Sequence, residues 1–240
     1  MTATTSQRLF DAIDVTWPAA NRRMLGPWCL RDGRGGGKRV SATTLAADFA
    51  PEDVKDAEAA MIESGQSPLF MVRNNETALD QALEARSYTV IDPTVVLTCP
   101  VTRLTDIAVP RLATFEIWEP LAIMVEIWAK GGIEAERLSV MYRAPTKTAI
   151  FARWNQRPAG TGFVATDGHV AMVHAVEVLE AQRRQGVAGW IMRAAAHWAA
   201  RQDASVLAVL CTQANTPALA LYSALGFRET ATYHYRRKTD

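Results

Sequence analysis

The pattern of hydrophobic and polar positions predicts alternating strands and helices along most of the chain. Apolar residues at helical spacing, such as Trp190, Ala194 and Trp198, indicate amphipathic helices, whereas short apolar runs bounded by Gly, Pro or Asn indicate buried strands. Strands are predicted over residues 28–30, 40–45, 69–73, 88–98, 148–155, 159–166, 169–179, 206–212 and 227–237. Helices are predicted over residues 52–63, 76–86, 120–130, 133–142, 190–202 and 217–225. This order of elements predicts an α/β (α+β) fold.

Two parts of the chain share an order of helix, turn and aromatic-led strand, at residues 83–96 and 221–235. The stretch from Pro100 to Pro110 contains two prolines and little periodicity, which is typical of a linker. We therefore predict two related domains, residues 1–105 and 106–240.

A glycine-rich segment at residues 32–38 allows two interpretations. It contains four glycines between two predicted strands, which favours a hairpin loop. A glycine-rich loop can also cradle a phosphate, but this one lacks the Gly-Lys-Ser/Thr ending of a P-loop. We also expect no helix close behind it, so the hairpin is the favoured interpretation.

Composition and charge narrow the possible function classes. The 240 residues are 49% hydrophobic with a formal net charge of +1, which argues against a nucleic-acid-binding surface or an acidic disordered tail. The three cysteines, Cys29, Cys99 and Cys211, lie far apart and predict neither a disulfide framework nor a metal site. No signal peptide or membrane-spanning segment is evident. We therefore expect a cytoplasmic protein in a reducing compartment.

The segment from His174 to Gly189 predicts a strand that passes through a basic turn into a helix. A helix N-terminus carries unpaired backbone N–H groups and the positive end of the helix dipole, and together these bind phosphate or pyrophosphate. At Gly186 and Ala188 a larger side chain would block the approach of a ligand to the backbone. The segment therefore predicts a site for a phosphorylated cofactor.

A second motif runs from Asn215 to Phe227. Asn215 lies between a predicted strand and a predicted helix, where its amide can cap the helix or bind the amides of a ligand. Tyr222 lies within that helix, and Gly226 fits its C-terminal end. Taken alone, the same residues also fit a purely structural role.

In this order and separation, the two motifs resemble those of the GNAT superfamily of acyl-CoA-dependent N-acetyltransferases. Residues 183–188 match the Gln/Arg-x-x-Gly-x-Gly/Ala signature, with alanine at the last position, and residues 215–227 match the second motif of the family. The resemblance implies a mixed, mainly antiparallel twisted sheet flanked by helices. The chain also resembles tandem members of the family, in which a degenerate N-terminal domain precedes a catalytic one.

The resemblance also implies roles for individual residues. Acetyl-CoA is the implied cofactor, and Tyr222 the proton donor to the departing thiolate. The implied cofactor-binding residues are Val176, Val178, Arg183, Arg184, Gln185, Gly186, Val187, Ala188, Gly189 and Asn215.

Two residues of one predicted strand are candidates for the general base. His174 matches a histidine of arylalkylamine-acetylating relatives and titrates in the right range, but a histidine packed in a strand and bonded to a neighbour is an equal alternative. Glu177 is the second candidate, acting through water. In a regular strand the two side chains lie on opposite faces, so both can face the acceptor only if a β-bulge intervenes.

The predicted reaction is transfer of an acetyl group to a primary amine by direct attack in a ternary complex. Two alternatives are a non-catalytic acyl-CoA sensor and a nucleotide-binding α/β protein outside this family. The expected acceptor is a small-molecule amine or a peptide N-terminus, with no nucleic-acid or membrane partner. The expected assembly is a monomer or a homodimer.

Overall fold

The computed structural model describes residues 6–238, which divide into two compact units. The first unit contains the residues up to Pro18, Val96–Cys211 and Thr216–Thr230. The second contains Ala19–Val95, Thr212–Asn215 and the residues from Ala231 onward. A compact unit need not be an independently folding domain, so the boundary after residue 105 stays a prediction.

The strands are β1 (Asn21–Leu25), β2 (Trp28–Asp32), β3 (Thr44–Leu45), β4 (Leu69–Arg73), β5 (Tyr88–Pro100), β6 (Thr114–Ile117), β7 (Thr146–Trp154), β8 (Arg157–Thr166), β9 (Val170–Val178), β10 (Val206–Thr212) and β11 (Arg228–Lys238). The α-helices are α1 (Ser6–Thr16), α2 (Lys38–Ser41), α3 (Val54–Glu63), α4 (Thr77–Glu84), α5 (Ala122–Lys130), α6 (Ala135–Arg143), α7 (Val187–Arg201) and α8 (Thr216–Ala224). Most predicted elements are confirmed within a few residues, while α1, β1 and β6 were not predicted.

The predicted return strand over residues 40–45 is confirmed only at Thr44–Leu45, and the expectation that no helix follows the glycine-rich segment is wrong. Residues 38–41 form α2, which buries Val40, and only Thr44–Leu45 pairs with β2. A Cβ atom on Gly33 would lie 2.4 Å from Ser41 Oγ, so the glycine lets the loop pack against the end of this helix. This close packing gives Gly33 a structural role.

The first unit is built on a mixed sheet. Strands β6, β7, β8 and β9 pair in antiparallel order, and β9 pairs with β10 in parallel. Helix α7 contacts β7, β8 and β9. Helices α1 and α5 contact β8 and β9.

The faces of this sheet follow from the alternation along β8. Cβ atoms built on Gly160 and Gly162 would approach Ile191 of α7 at 3.2 and 2.8 Å. The residue after Gly162 points the other way: the ring of Phe163 lies 5.9 Å from that of Trp17, directly after α1. Helix α7 therefore covers one face, and α1 and α5 lie on the other.

In the second unit, β1, β2 and β3 form an antiparallel sheet, and β4 pairs antiparallel with β11. Its core contains an aromatic series in which Phe70 lies 5.5 Å from both Trp28 and Tyr88, ring centroid to ring centroid. Such edge-to-face contacts stabilise a core beyond simple burial. Within residues 6–238, no helix is long and apolar enough to cross a membrane.

Candidate active site

Strands β9 and β10 pair over only part of their length. Their parallel ladder runs from Val170–Val206 to Val173–Val209, yet β9 continues to Val178 and β10 to Thr212. Along residues 174–178 the edge of β9 that faces β10 therefore has no ladder partner in that strand. Backbone N–H and C=O groups on such an edge can bind the amide groups of an extended ligand.

A β-bulge interrupts β9 at the same place. Thr161 of β8 lies opposite Glu177 and Phe163 opposite His174, so two residues of β9, 175 and 176, oppose a single residue of β8. Ala175 has a positive φ of 53°. Its carbonyl oxygen accepts a hydrogen bond from Trp128 Nε1 of α5 at 2.7 Å, which holds the bulge in place.

The bulge reverses the relation that a regular strand would give His174 and Glu177. His174 bonds to Thr16 of α1, and the carboxyl group of Glu177 lies against Gly131, directly after α5. Both side chains therefore lie on the face of the sheet that α1 and α5 cover. The β-bulge thus allows both candidate bases, His174 and Glu177, to share one face of the sheet.

His174 is enclosed by α1 and aromatic rings. The side chain is only 5% exposed, and its ring centroid lies 4.9 Å from that of Trp17. The Thr16 hydroxyl donates to the Ala12 carbonyl oxygen at 2.7 Å, so its oxygen is left to accept a hydrogen bond from His174 Nε2 at 3.1 Å. In this arrangement His174 links β9 to the end of α1.

Glu177 is half-buried, and its carboxyl group occupies space next to the backbone of Gly131. Burial raises the pKa of this carboxyl, because the charged form loses solvation, while the Arg183 guanidinium opposes the rise. A carboxylate with a raised pKa is a stronger base than an exposed one.

Tyr222 of α8 is 8% exposed and packs against Phe227, with ring centroids 5.6 Å apart. Burial raises the pKa of its phenol, and negative charge on Cys211 or Glu177 raises it further. The phenol therefore stays neutral at physiological pH and retains a proton that it can donate. Cys211 is buried at the end of the splayed part of β10, and burial also raises the pKa of its thiol.

The basic turn leads into α7 without a side-chain cap. Gly186 is the N-cap residue with φ 81°, Arg184 also has a positive φ, and the first helical bond joins Trp190 N–H to the Gly186 carbonyl oxygen. The N–H groups of residues 187–189 precede that bond and have no intrahelical partner.

Space for a ligand is present at the same end of the helix. A Cβ atom on Gly189 would meet nothing within 4 Å, and one on Gly186 would only approach Trp190 Nε1 at 3.9 Å. Val187, the first helical residue, is 3% exposed and anchors the helix start in the core, while Ala188 is half-buried. The helix start thus presents backbone N–H groups to open space.

The other predicted cofactor-binding residues lie around this turn and strand. Val176 and Val178 of β9 face α7 with their side chains, near Gly162 and Gly160. Arg183 Nε donates to the Val178 carbonyl oxygen at 3.1 Å, and Gln185 Nε2 to the Ala181 carbonyl oxygen at 3.1 Å. These two bonds fold the turn back on the chain that leads into it.

Asn215 is exposed, and it belongs to the second compact unit. Its backbone N–H donates to the Thr212 carbonyl oxygen at 3.0 Å, which closes the turn before α8. The role predicted for its side chain stays a prediction.

Residues 114–227, which contain the splayed strands, the bulge and the basic turn, match the model of the Acetyltransferase (GNAT) family. The match assigns this segment, just under half of the chain, to the GNAT family. The mixed sheet flanked by helices that the resemblance implied is confirmed.

Comparisons over nearly the whole chain agree with the GNAT assignment. The chain is 24% identical over 235 residues to the uncharacterized N-acetyltransferase YobR of Bacillus subtilis (strain 168), covering 93% of this chain and 95% of the relative. A GCN5-related N-acetyltransferase from Kribbella flavida has a TM-score of 0.75 at 18% identity, covering 99% of this chain and 97% of that one. A tandem GNAT protein from the clavulanic acid biosynthesis pathway has a TM-score of 0.61 at 13% identity, covering 87% and 76%. The two structural likenesses concern the fold.

Sequence reasoning missed several residues that shape this GNAT site. Trp128 holds the bulge, Gly131 makes room for the Glu177 carboxyl, and Thr161 lies opposite Glu177. The short pattern Gly160-Thr161-Gly162 was a usable signal, since two glycines flank a polar residue in a buried strand. Nothing in the sequence around Gly131 or Trp128 indicated their partners, which lie more than forty residues away.

Proposed function

We propose that the protein is an N-acetyltransferase that moves an acetyl group from acetyl-CoA to a primary amine by direct attack in a ternary complex. The observation that carries this proposal is the convergence of two groups in a GNAT domain. A half-buried carboxylate, Glu177, lies in the splayed part of β9, and its negative charge contributes to the raised pKa of the buried phenol of Tyr222.

The residues around the basic turn fit coenzyme A. The N–H groups of residues 187–189, which precede the first helical bond, and the open space at Gly189 suit a pyrophosphate, and the part of β9 beyond its ladder with β10 suits the pantetheine amides. Acetyl-CoA supplies an acetyl group that is activated as a thioester. The arginines of the turn, Arg183 and Arg184, add positive charge where the phosphates would lie.

We assign the removal of the acceptor's proton to Glu177. An alkylammonium group must lose a proton before its nitrogen can attack, and a carboxylate with a raised pKa accepts it more readily. His174 shares the face of Glu177, but its Nε2 is engaged by Thr16 and its ring is buried among aromatic side chains. In this proposal His174 supports the sheet beside the acceptor.

We assign protonation of the departing thiolate to Tyr222. Its burial keeps the phenol neutral, so the proton is in place when the C–S bond breaks. An acetyl-cysteine intermediate is not favoured, because burial raises the pKa of Cys211 and keeps the thiol in its weakly nucleophilic form.

Release of free thiol tests the proposal. The full chain is incubated with acetyl-CoA and a panel of small amines, amino acids and peptides with free N-termini, and thiol is followed by a chromogenic disulfide reagent. We expect amine-dependent release that is lost in Tyr222→Phe. Tight binding of coenzyme A with no release for any amine would instead favour the non-catalytic sensor.

We also propose the tandem arrangement, with residues 1–105 as a degenerate domain. In chain order, α3 precedes β4 just as α7 precedes β10, so the start of α3 corresponds to the start of α7. The segment before α3 is acidic, however, and Asp53 Oδ2 accepts a hydrogen bond from the Ala50 N–H at 2.8 Å. An acidic helix start repels a pyrophosphate. We therefore expect one coenzyme A per chain by titration calorimetry, and two would contradict the proposal. The cytoplasmic location and the monomeric or homodimeric state stay predictions.

A further inference from the structure

Thr161 in β8 carries a buried hydroxyl group. The residue is 0% exposed, and its Oγ1 has no hydrogen-bond partner among the residues that the structure describes. A buried hydroxyl in this condition is unfavourable, and native proteins usually satisfy it with a protein group or an ordered water. The site therefore needs an explanation.

The position of Thr161 indicates what its hydroxyl faces. Gly160 and Gly162, on either side, point toward Ile191 of α7, so the Thr161 side chain points to the opposite face. Its partner in the antiparallel register is Glu177, on the same face. Directly opposed residues have Cβ atoms about 5 Å apart, a separation that lets one water bridge a hydroxyl and a carboxylate.

We infer that Thr161 holds a water molecule against the carboxylate of Glu177 and that this water relays the acceptor's proton. The inference rests on the proposed acetyltransferase function. The acceptor's ammonium gives one proton to the water while the water gives one of its own to Glu177. A neutral amine, a carboxylic acid and an intact water remain. Thr161 is a positioning residue in this scheme, because it acts through the water.

A pair of substitutions at Thr161 separates this role from a structural one. Thr161→Val keeps the shape and removes the hydroxyl, whereas Thr161→Ser keeps the hydroxyl. We expect Thr161→Val to lower kcat at least about tenfold, with an unchanged KM for acetyl-CoA and an equal or higher Tm. Thr161→Ser should retain kcat within about threefold of wild type.

Thr148→Val is the matched control. Thr148 is a buried threonine of the neighbouring strand β7, paired with Val164 on the side of the sheet that α7 covers. Loss of the Thr148 hydroxyl should leave kcat unchanged. Full activity of Thr161→Val, or a Thr161→Ser variant as slow as Thr161→Val, would overturn the inference.

A crystal structure of the full chain provides a readout that does not depend on activity. We expect an ordered water within hydrogen-bond distance of both Thr161 Oγ1 and the Glu177 carboxyl, absent in Thr161→Val. Absence of a water between Thr161 Oγ1 and the Glu177 carboxyl in wild type would overturn the inference even in an active enzyme. A wild-type protein that contains this water but never releases thiol would instead count against the proposed function.

Discussion

Gly131 leaves the space that the carboxyl group of Glu177 occupies. A Cβ atom on Gly131 would lie 2.3 Å from Glu177 Cδ and 2.6 and 2.7 Å from the two carboxyl oxygens. The backbone of Gly131 has φ −87° and ψ 7°, a conformation that other residues adopt. Glycine is therefore needed at position 131 because the Glu177 carboxyl fills the space of a Cβ atom, and not because of the backbone conformation.

Gly131→Ala should consequently move the carboxyl of Glu177 without disturbing the fold. A displacement of about 1 Å in a catalytic group can lower turnover about 100-fold, so we expect kcat to fall by roughly 10- to 100-fold. The affinity for coenzyme A should stay unchanged, since the basic turn is untouched. Steady-state kinetics and calorimetry measure the two effects. Lys130→Ala, an exposed neighbour, should be silent, and a fully active Gly131→Ala would refute the steric argument.

Glu177→Gln should lower activity and raise stability at neutral pH. Burial raises the pKa of Glu177 in the folded state, so the folded protein binds this proton more tightly than the unfolded chain. The contribution of Glu177 to the free energy of unfolding therefore falls as the pH rises from the pKa of the unfolded chain through the raised pKa of the folded protein. The substitution removes that loss, while kcat/KM should drop about 100-fold or more with the loss of the base.

Two measurements check Glu177→Gln. Thermal melts from pH 4 to pH 8 should show a flatter decline for the variant than for wild type, and the acid limb of the rate profile should disappear. Glu180→Gln, at an exposed position three residues later, is the control and should change neither. A variant that retains the acid limb would assign the titrating group to another residue.

The order of strands and helices and the turn before α7 could be predicted from the sequence because both depend on local signals. The turn at residues 183–188 and the motif at residues 215–227 each lie within one short segment, and hydrophobic periodicity placed them between the correct elements. Short elements with exposed residues were missed, as in β1, where residues 21–24 are all exposed. A pattern of buried positions cannot detect a strand that buries so little.

The shared face of His174 and Glu177 could not be predicted because long-range contacts determine it. Alternation placed His174 and Glu177 on opposite faces, and only the bulge at Ala175, held by Trp128 of another element, brings them to one face. The helix that covers His174 lies near the N-terminus, and Thr16 and His174 are separated by 158 in residue number. No local pattern records such a contact.

Tyr222→Phe should reduce turnover while preserving the fold. The phenylalanine ring keeps the packing against Phe227, whose centroid lies 5.6 Å away, and only the proton donor is lost. We expect kcat to fall about 100-fold with unchanged binding of coenzyme A. Because burial raises the pKa of the phenol, wild type should show no loss of activity from its ionisation below about pH 10. Tyr142→Phe, at an exposed tyrosine of α6, is the control, and equal activity of the two variants would remove Tyr222 from the mechanism.

Gly189→Asp should stabilise the protein and weaken its binding of coenzyme A. Residue 189 lies in the first turn of α7 and faces open space, so a side chain fits. An acidic residue there interacts favourably with the helix dipole by about 0.3–1 kcal/mol, in addition to the gain from replacing a helical glycine. The same charge would face the pyrophosphate, and we expect at least about a tenfold loss of affinity, or ~1.4 kcal/mol.

The uncharged variant Gly189→Ala separates the two effects in Gly189→Asp. It gains helix stability without adding charge, so its affinity for coenzyme A should exceed that of the aspartate variant. Calorimetry at low and high salt measures the difference, which should shrink as salt screens the repulsion. Equal affinities of the two variants at low salt would show that no phosphate approaches the start of α7.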